Sequence, residues 1–203
     1  MTMMKKMMIL AVMAIVAMTA SAQNTLRENG TFTLQPKVGL GIGFLSGSWS
    51  AGLGVDWKRK SRIGVLAGVE GEYYVNDWFS AALGVNYAQQ GWKFEGGGES
   101  ETTKLDYLNI PIVGNFYVTE GLALKTGVQF GCLLSAKEES TDVKSAYEKL
   151  NISIPIGISG EYKNFVLDVR YNISLTKINK NSNSENKYRS DLFQITLGYK
   201  FEL

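Results

Sequence analysis

The chain ends in Phe193-Gln194-Ile195-Thr196-Leu197-Gly198-Tyr199-Lys200-Phe201-Glu202-Leu203, where apolar and polar or small residues alternate without interruption. Successive side chains of a β-strand point to opposite faces of a sheet. A helix would instead need its apolar residues three or four positions apart. The stretch therefore predicts a strand with one apolar face and one polar face.

Seven earlier segments repeat this alternation. They cover residues 37–44, 62–75, 79–88, 107–118, 122–134, 151–159 and 165–175. One face of each segment is built from Val, Ile, Leu and aromatic residues. The other face is mostly Gly, Ser, Ala, Asn and Gln, with some charged residues. The pattern predicts eight strands and an all-β fold.

The connections between these segments alternate in length. The short ones are Asn76-Asp77, Thr119-Glu120-Gly121 and Lys163-Asn164, which have good turn chemistry. The long ones are residues 45–61, 93–103, 135–149 and 177–188. Short turns at one end and long loops at the other predict antiparallel strands that pair in chain order, as in an up-and-down barrel.

Two closed barrels fit this pattern, and they differ in which face is apolar. A soluble ligand-binding barrel has an apolar lining, whereas a membrane barrel has an apolar exterior. The apolar face here is too bulky for the interior of eight strands, and the small, polar face suits a narrow lumen. The sequence therefore predicts an eight-stranded antiparallel up-and-down transmembrane β-barrel, with a soluble barrel or sandwich as the alternative.

The N-terminus has the features of a signal peptide. Lys5 and Lys6 precede an apolar stretch, residues 7–18, which ends near Ala20-Ser21-Ala22, a small-x-small cleavage site. The apolar stretch is shorter than the roughly 20 residues that a membrane helix requires. We therefore expect a signal peptide at residues 1–22 and one barrel domain at residues 23–203.

Charge and composition exclude several function classes. Without Lys5 and Lys6, the Lys and Arg count falls from 21 to 19 against 19 Asp and Glu, so no basic surface for nucleic acid is expected. The chain has no His, which removes Ser-His-Asp hydrolysis and His metal sites. We expect no enzyme activity, no catalytic residue, no metal and no cofactor.

The alternation directs a set of charged side chains into the lumen, mostly near the short turns. They are Lys37, Glu70, Glu72, Lys125, Glu161, Asp168, Arg170, Lys200 and Glu202. One interpretation is an ion or proton path, or a gate. The other is a plug of mutually neutralising charges, because unpaired charges in a lumen of low dielectric constant are costly. The narrow interior of eight strands favours the plug.

Aromatic residues on the lipid-facing side collect beside the short turns and the C-terminus. They are Tyr73, Phe79, Phe116, Tyr162, Phe165, Tyr199 and Phe201. Aromatic rings concentrate at the interface between membrane and water. The cluster predicts an aromatic belt at one membrane interface.

Several stretches resemble the PorT-like outer-membrane β-barrel family of Bacteroidetes. They are residues 107–112, 121–127, 133–137, 168–172 and 193–201. The resemblance spans roughly the whole mature chain and implies location and architecture rather than a task. The name of this family suggests an accessory role in protein secretion.

We therefore expect a non-enzymatic outer-membrane barrel with a structural or surface-interaction role through four long extracellular loops. Its termini and short turns would be periplasmic. Outer-membrane lipid, lipopolysaccharide and, during biogenesis, the barrel-assembly machinery are the expected partners. A narrow pore or an accessory protein for transport or secretion is the alternative.

Overall fold

The computed structural model describes Met13 and residues 28–46, 58–96, 99–139, 141–178 and 188–203. Side chains at 58–59, 94–96 and 99–100 are outside this description. Apart from Met13, the predicted signal peptide lies outside the described residues, and so do most of the 45–61 connection and most of the 177–188 connection. In the part that is described, no helix has the length and hydropathy needed to cross a membrane.

Eight long strands make up most of the described residues. They are β1 Phe32–Ser46, β2 Lys58–Asn76, β3 Phe79–Gly96, β4 Glu99–Thr119, β5 Leu122–Glu138, β6 Leu150–Tyr162, β7 Phe165–Ser174 and β8 Arg189–Tyr199. A two-residue strand, Thr141–Asp142, pairs with the end of β5, and a 3-10 turn follows at Lys144–Ala146. Beyond Lys200, Phe201–Glu202 pairs with the start of β1.

The strands close into a barrel. Each pairs antiparallel with the next along the chain, and β1 pairs with β8 from Lys37 opposite Gly198 to Ser46 opposite Arg189. Closure leaves no sheet edge within the barrel wall. The backbone N–H and C=O groups of an open edge would have no hydrogen-bond partners in lipid. The predicted eight-stranded antiparallel up-and-down barrel is confirmed.

The two faces of the wall have opposite character. Side chains alternate between exposed and buried along the strands, most regularly in β5. Outward-facing apolar residues such as Val38 and Val118 are each 61% exposed. The buried inner face contains many polar and charged side chains. The apolar face is therefore the outer one, which excludes the soluble barrel with an apolar lining.

The wall is taller on one side. Strands β2 to β5 have 17 to 21 residues, whereas β6 to β8 have 10 to 13. A strand needs about 9–11 residues to cross a bilayer. The β2–β5 side is therefore long enough to rise beyond a bilayer at the long-loop end.

The prediction of a long loop at residues 93–103 is wrong. Strand β3 continues through Gly96 and β4 begins at Glu99, with Lys93 opposite Thr102 and Glu95 opposite Ser100. Above the apolar band the outer face no longer needs apolar side chains. The hydrophobic alternation therefore fades there while the backbone pairing continues.

Candidate functional site

Most of the charged residues predicted for the lumen are buried there together. Four are cations and four are anions, and each is at most 3% exposed. They are Lys37, Lys125, Arg170, Lys200, Glu70, Glu72, Glu161 and Asp168. Because the two charges balance, the network has a formal charge of zero. It divides into two clusters, each centred on one cation.

The Arg170 cluster consists of Lys37, Glu70, Lys125, Asp168 and Arg170. The Nη2 atom of Arg170 donates to both carboxylate oxygens of Glu70 at 2.9 Å and to Oδ2 of Asp168 at 2.7 Å. Lys125 Nζ lies 2.8 Å from Asp168 Oδ2, and Lys37 pairs with Glu70. Three cations and two anions give this cluster a formal charge of +1.

The Lys200 cluster consists of Glu72, Tyr74, Tyr117, Glu161 and Lys200. Lys200 Nζ lies 2.9 Å from Glu72 Oε2, donates to Glu161 Oε2 at 2.8 Å and donates to the Tyr74 hydroxyl at 2.7 Å. The Tyr117 hydroxyl donates to Glu72 Oε1 at 2.6 Å. One cation and two anions give a formal charge of −1, which balances the Arg170 cluster.

This geometry is what the plug interpretation requires. Moving a charge from water into a protein interior costs several kcal/mol, and opposite charges offset that cost only when their contacts are close. Every one of the eight charged residues contacts an opposite charge within the network. The arrangement fixes the side chains across the lumen, with contacts that join strands on different sides of it.

The prediction that Glu202 belongs to the lumen charge cluster is wrong, because Glu202 is exposed and lies outside the buried network. The pairing of the C-terminal strand with β1 is interrupted at Lys200, whose N–H donates to the Asn164 carbonyl at 2.8 Å. The Lys200 carbonyl accepts from Asn164 Nδ2 at 2.7 Å. Glu202 lies beyond this interruption and pairs with Thr33 near the start of β1.

An apolar layer occupies the lumen at the long-loop end, and the sequence did not predict it. Its buried members are Trp92, Leu105, Tyr107, Leu133, Ala136 and Ile178. Leu45, Val143, Tyr147 and Tyr188 pack against them. The sequence does contain a signal for it: Leu105 and Leu133 are apolar residues at positions where the alternation directs side chains into the lumen. The lumen is therefore filled by charged residues near the turns and by apolar ones near the loops.

Tyr147 connects this apolar layer to the connection after β5. Its ring lies 6.3 Å from that of Trp92, and its hydroxyl donates to Glu138 Oε1 at 2.9 Å. Burial, together with the Glu138 carboxylate, raises the pKa of Tyr147. The hydroxyl therefore stays a neutral donor, and the connection is held over the lumen.

The predicted aromatic residues lie at the short-turn end of the outer face. Phe165 and Tyr199 pack edge to face at 5.1 Å, and Tyr199 lies 4.8 Å from Phe201. A second group joins Phe79 to Phe116 at 5.3 Å. Tyr73 is exposed on the same face, and Tyr162 lies beneath the Lys163 amine. The sequence missed Trp78, which is 58% exposed and packs on Phe79 and Phe116.

Comparison with known proteins identifies related folds. The chain matches the outer membrane protein β-barrel domain family over residues 21–180. It is similar to Ail, the attachment invasion locus protein of Yersinia pestis, solved in complex with the heparin analogue sucrose octasulfate. That match has 17% identity and a TM-score of 0.50, and it covers 86% of this chain and 100% of that chain.

The chain is also similar to Neisserial surface protein A. The identity is 19% and the TM-score 0.51, with 84% of this chain and 97% of that chain covered. At such identities the likeness to either solved structure shows the fold alone. None of the curated proteins matches the sequence.

Proposed function

The chain belongs to the outer membrane protein β-barrel domain family, and on that basis we propose that it is a non-enzymatic surface-interaction protein. The filled lumen is the observation that supports this proposal most strongly. A neutral, buried charge network and an apolar layer occupy it at successive levels. What is left for a partner is the outer surface and the long connections.

The proposal orients the protein with its long connections outside the cell and its termini and short turns in the periplasm. The uneven height of the wall supports this orientation. Strands β2 to β5 extend well past the length needed to cross a bilayer, and the extension lies at the long-loop end. A rigid extension of this kind presents loops for recognition. Lipopolysaccharide is the first partner to consider, and the barrel-assembly machinery would act during biogenesis.

A narrow pore or a transport accessory is the second candidate. The observation that favours it is a set of buried polar atoms without hydrogen-bond partners among the described residues. Gln35, Thr196, Gln194 and Asn172 contribute such atoms from neighbouring strands β1, β8 and β7. Buried polar groups of this kind are commonly satisfied by ordered water. The PorT-like resemblance adds an accessory role in secretion to this candidate.

Trimming the protruding hairpin tests the leading proposal. Lys93 lies directly opposite Thr102, so residues 94–101 can be replaced by Asn-Gly, which closes a two-residue hairpin. A strain lacking the protein would be complemented with either form, and its adhesion and resistance to detergent measured. We expect the trimmed form to reach the outer membrane without restoring the phenotype. Full restoration would overturn the loop-based role.

A further inference from the structure

Four lysines line up across the extended side of the wall. We call Lys60, Lys93, Lys104 and Lys137 the lysine row. Lys60 of β2 lies directly opposite Lys93 of β3, and Lys104 of β4 lies directly opposite Lys137 of β5. Lys93 pairs with Thr102, two positions from Lys104, so the two pairs are diagonal neighbours.

The row faces outward. The residues adjacent to its members along the strands, Trp92, Thr103 and Ala136, are buried inside the barrel. Because neighbouring side chains of a strand alternate between faces, Lys93, Lys104 and Lys137 lie on the outer face. Lys60, which is exposed and opposite Lys93, lies on that face too.

The row is unfavourable for the protein alone. Like charges directly opposite each other on a sheet destabilise it. Within the described residues, Lys93, Lys104 and Lys137 make no ion pair, while Lys60 has a contact inside the chain. Two carboxylates lie on the same face: Asp142 opposite Lys137, and Asp106 two positions from Lys104. Four lysines against two aspartates still leave the row with an excess positive charge of two, which points to an anionic partner.

The height of the row indicates which anion it meets. The outward apolar residues of β5 run from Leu124 to Leu134. With a rise of about 3.4 Å per residue and a tilt of about 40°, this distance is about 26 Å along the barrel axis. An apolar band of about 25 Å is typical of outer-membrane barrels. The apolar band therefore ends near Leu134.

Lys137 lies three residues beyond Leu134, about 8 Å above the band by the same geometry. Lys104 lies four residues beyond Leu108, the last outward apolar residue of β4, which is about 10 Å by the same geometry. Headgroups extend roughly 5–8 Å from each side of the hydrocarbon core. The backbone of the row is therefore at the outer edge of the headgroups, and the long, flexible lysine side chains reach back to the headgroup phosphates.

The opposite end of the barrel has a different charge. Among the described residues there, Glu28, Asp77, Glu120 and Glu202 are exposed carboxylates, and Lys163 is an exposed amine. The long-loop end also has exposed carboxylates, at Glu101, Glu139, Asp142 and Glu148. The difference between the ends is the outward lysine row, which has no counterpart among the described residues of the short-turn end. The row fits the leaflet with the higher density of phosphate.

We propose that the lysine row is a binding site for the phosphate groups of outer-leaflet lipopolysaccharide. A phosphate between the two lysines of a pair accepts charge-assisted hydrogen bonds from both ammonium groups and removes their repulsion. The inference rests on the proposed function, because it requires the long-loop end to face the outside.

The test compares wild type with a Lys104→Gln/Lys137→Gln variant in lipid nanodiscs. The matched control is Lys149→Gln/Lys163→Gln, which neutralises two exposed lysines outside the row. The probes are rough lipopolysaccharide, the same preparation after phosphatase treatment, and phosphatidylglycerol. A heat-dependent shift in gel mobility shows that each variant is folded.

We expect the row variant to bind rough lipopolysaccharide at least about tenfold more weakly than wild type, as two charge-assisted contacts are lost. Phosphatase treatment should weaken binding to wild type similarly, and the control variant should match wild type. Unchanged binding by the row variant would overturn the proposal. Equal binding to phosphatidylglycerol would overturn the assignment to the outer leaflet.

Orientation is measured separately, so that a failure of the proposed function can be recognised. A Thr141→Cys substitution in a Cys132→Ser background places a single thiol at an exposed position of the long-loop end. We expect a membrane-impermeant maleimide to label it in intact cells. If the thiol is labelled in intact cells but the row variant binds lipopolysaccharide as wild type does, the lysine row is rejected as the site and the orientation stands. No labelling in intact cells but full labelling after lysis would reject the proposed orientation, and the site with it.

Discussion

Arg170 and Glu70 are 100 residues apart in the chain, and their side chains meet inside the barrel, with Nη2 of Arg170 2.9 Å from both carboxylate oxygens of Glu70. They belong to β7 and β2, which are not neighbours in the sheet. The contact therefore crosses the lumen and connects parts of the wall that backbone hydrogen bonds do not join directly. It is the centre of the network that fills the turn-side half of the barrel.

Removal of the Arg170 guanidinium should destabilise the barrel strongly. Arg170→Met removes one of the positive charges that offset the Glu70 and Asp168 carboxylates. Removal of one partner of a buried ion pair lowers the free energy of unfolding by about 3–5 kcal/mol. Urea unfolding in lipid vesicles measures the loss. The Asp168→Asn/Arg170→Met double variant restores the net charge of zero and should lose less. A loss below about 1 kcal/mol in the single variant would contradict the structural role of the network.

The turn between β6 and β7 should hold the end of the C-terminal strand in place. Asn164 accepts the Lys200 N–H and donates to the Lys200 carbonyl, where the β1–β8 ladder is interrupted. Asn164→Ala removes the side-chain donor and should cost about 1 kcal/mol, or up to 3 if the carbonyl stays unsatisfied. Neighbouring Lys163 has a φ of 54°, so Lys163→Gly should be neutral or stabilising. If Asn164→Ala left the free energy of unfolding unchanged in the same assay, the stabilising role of this side chain would be contradicted.

The contact between β1 and β8 should not tolerate a side chain at Gly39. A Cβ atom there would lie 2.0 Å from the Ile195 carbonyl oxygen and 2.7 Å from the Thr196 Cα, both backbone atoms. Gly39→Ala should therefore reduce the yield of the heat-modifiable, closed form on gels. Gly71→Ala is the matched control, because its nearest contact is the Phe32 ring at 2.9 Å, which can rotate away. Equal yields of the closed form for both variants would contradict the close backbone contact between β1 and β8 at Gly39.

Alternation along the chain was sufficient to predict the barrel, because a strand that separates lipid from a lumen must alternate along its whole crossing. Alternation also predicts that Arg170 and Glu70 point inward. It does not predict that they meet, since pairing across the lumen depends on strand order and stagger. It failed at Glu202, which has the phase of Lys200 but lies beyond the interruption of the ladder. A periodicity of two does not show where a barrel ends.

The apolar layer under the loops was missed for a related reason. Trp92 and Leu105 lie on the inner face, where apolar residues were not expected, and their height in the barrel decides their surroundings. The hairpin at residues 93–103 resembles a loop in the sequence because its side chains lack the alternation that lipid imposes. Both features lie at the long-loop end, where lipid no longer sets the sequence pattern.

Conductance across planar lipid bilayers tests the closed lumen most directly. Folded wild-type protein would be added at low concentration and single insertion events recorded in 1 M KCl, with heat-modifiable protein confirmed on gels. The charge network and the apolar layer predict no discrete conductance steps above the bilayer baseline. Reproducible unitary steps from wild-type protein would contradict the filled lumen and make the narrow pore the leading function.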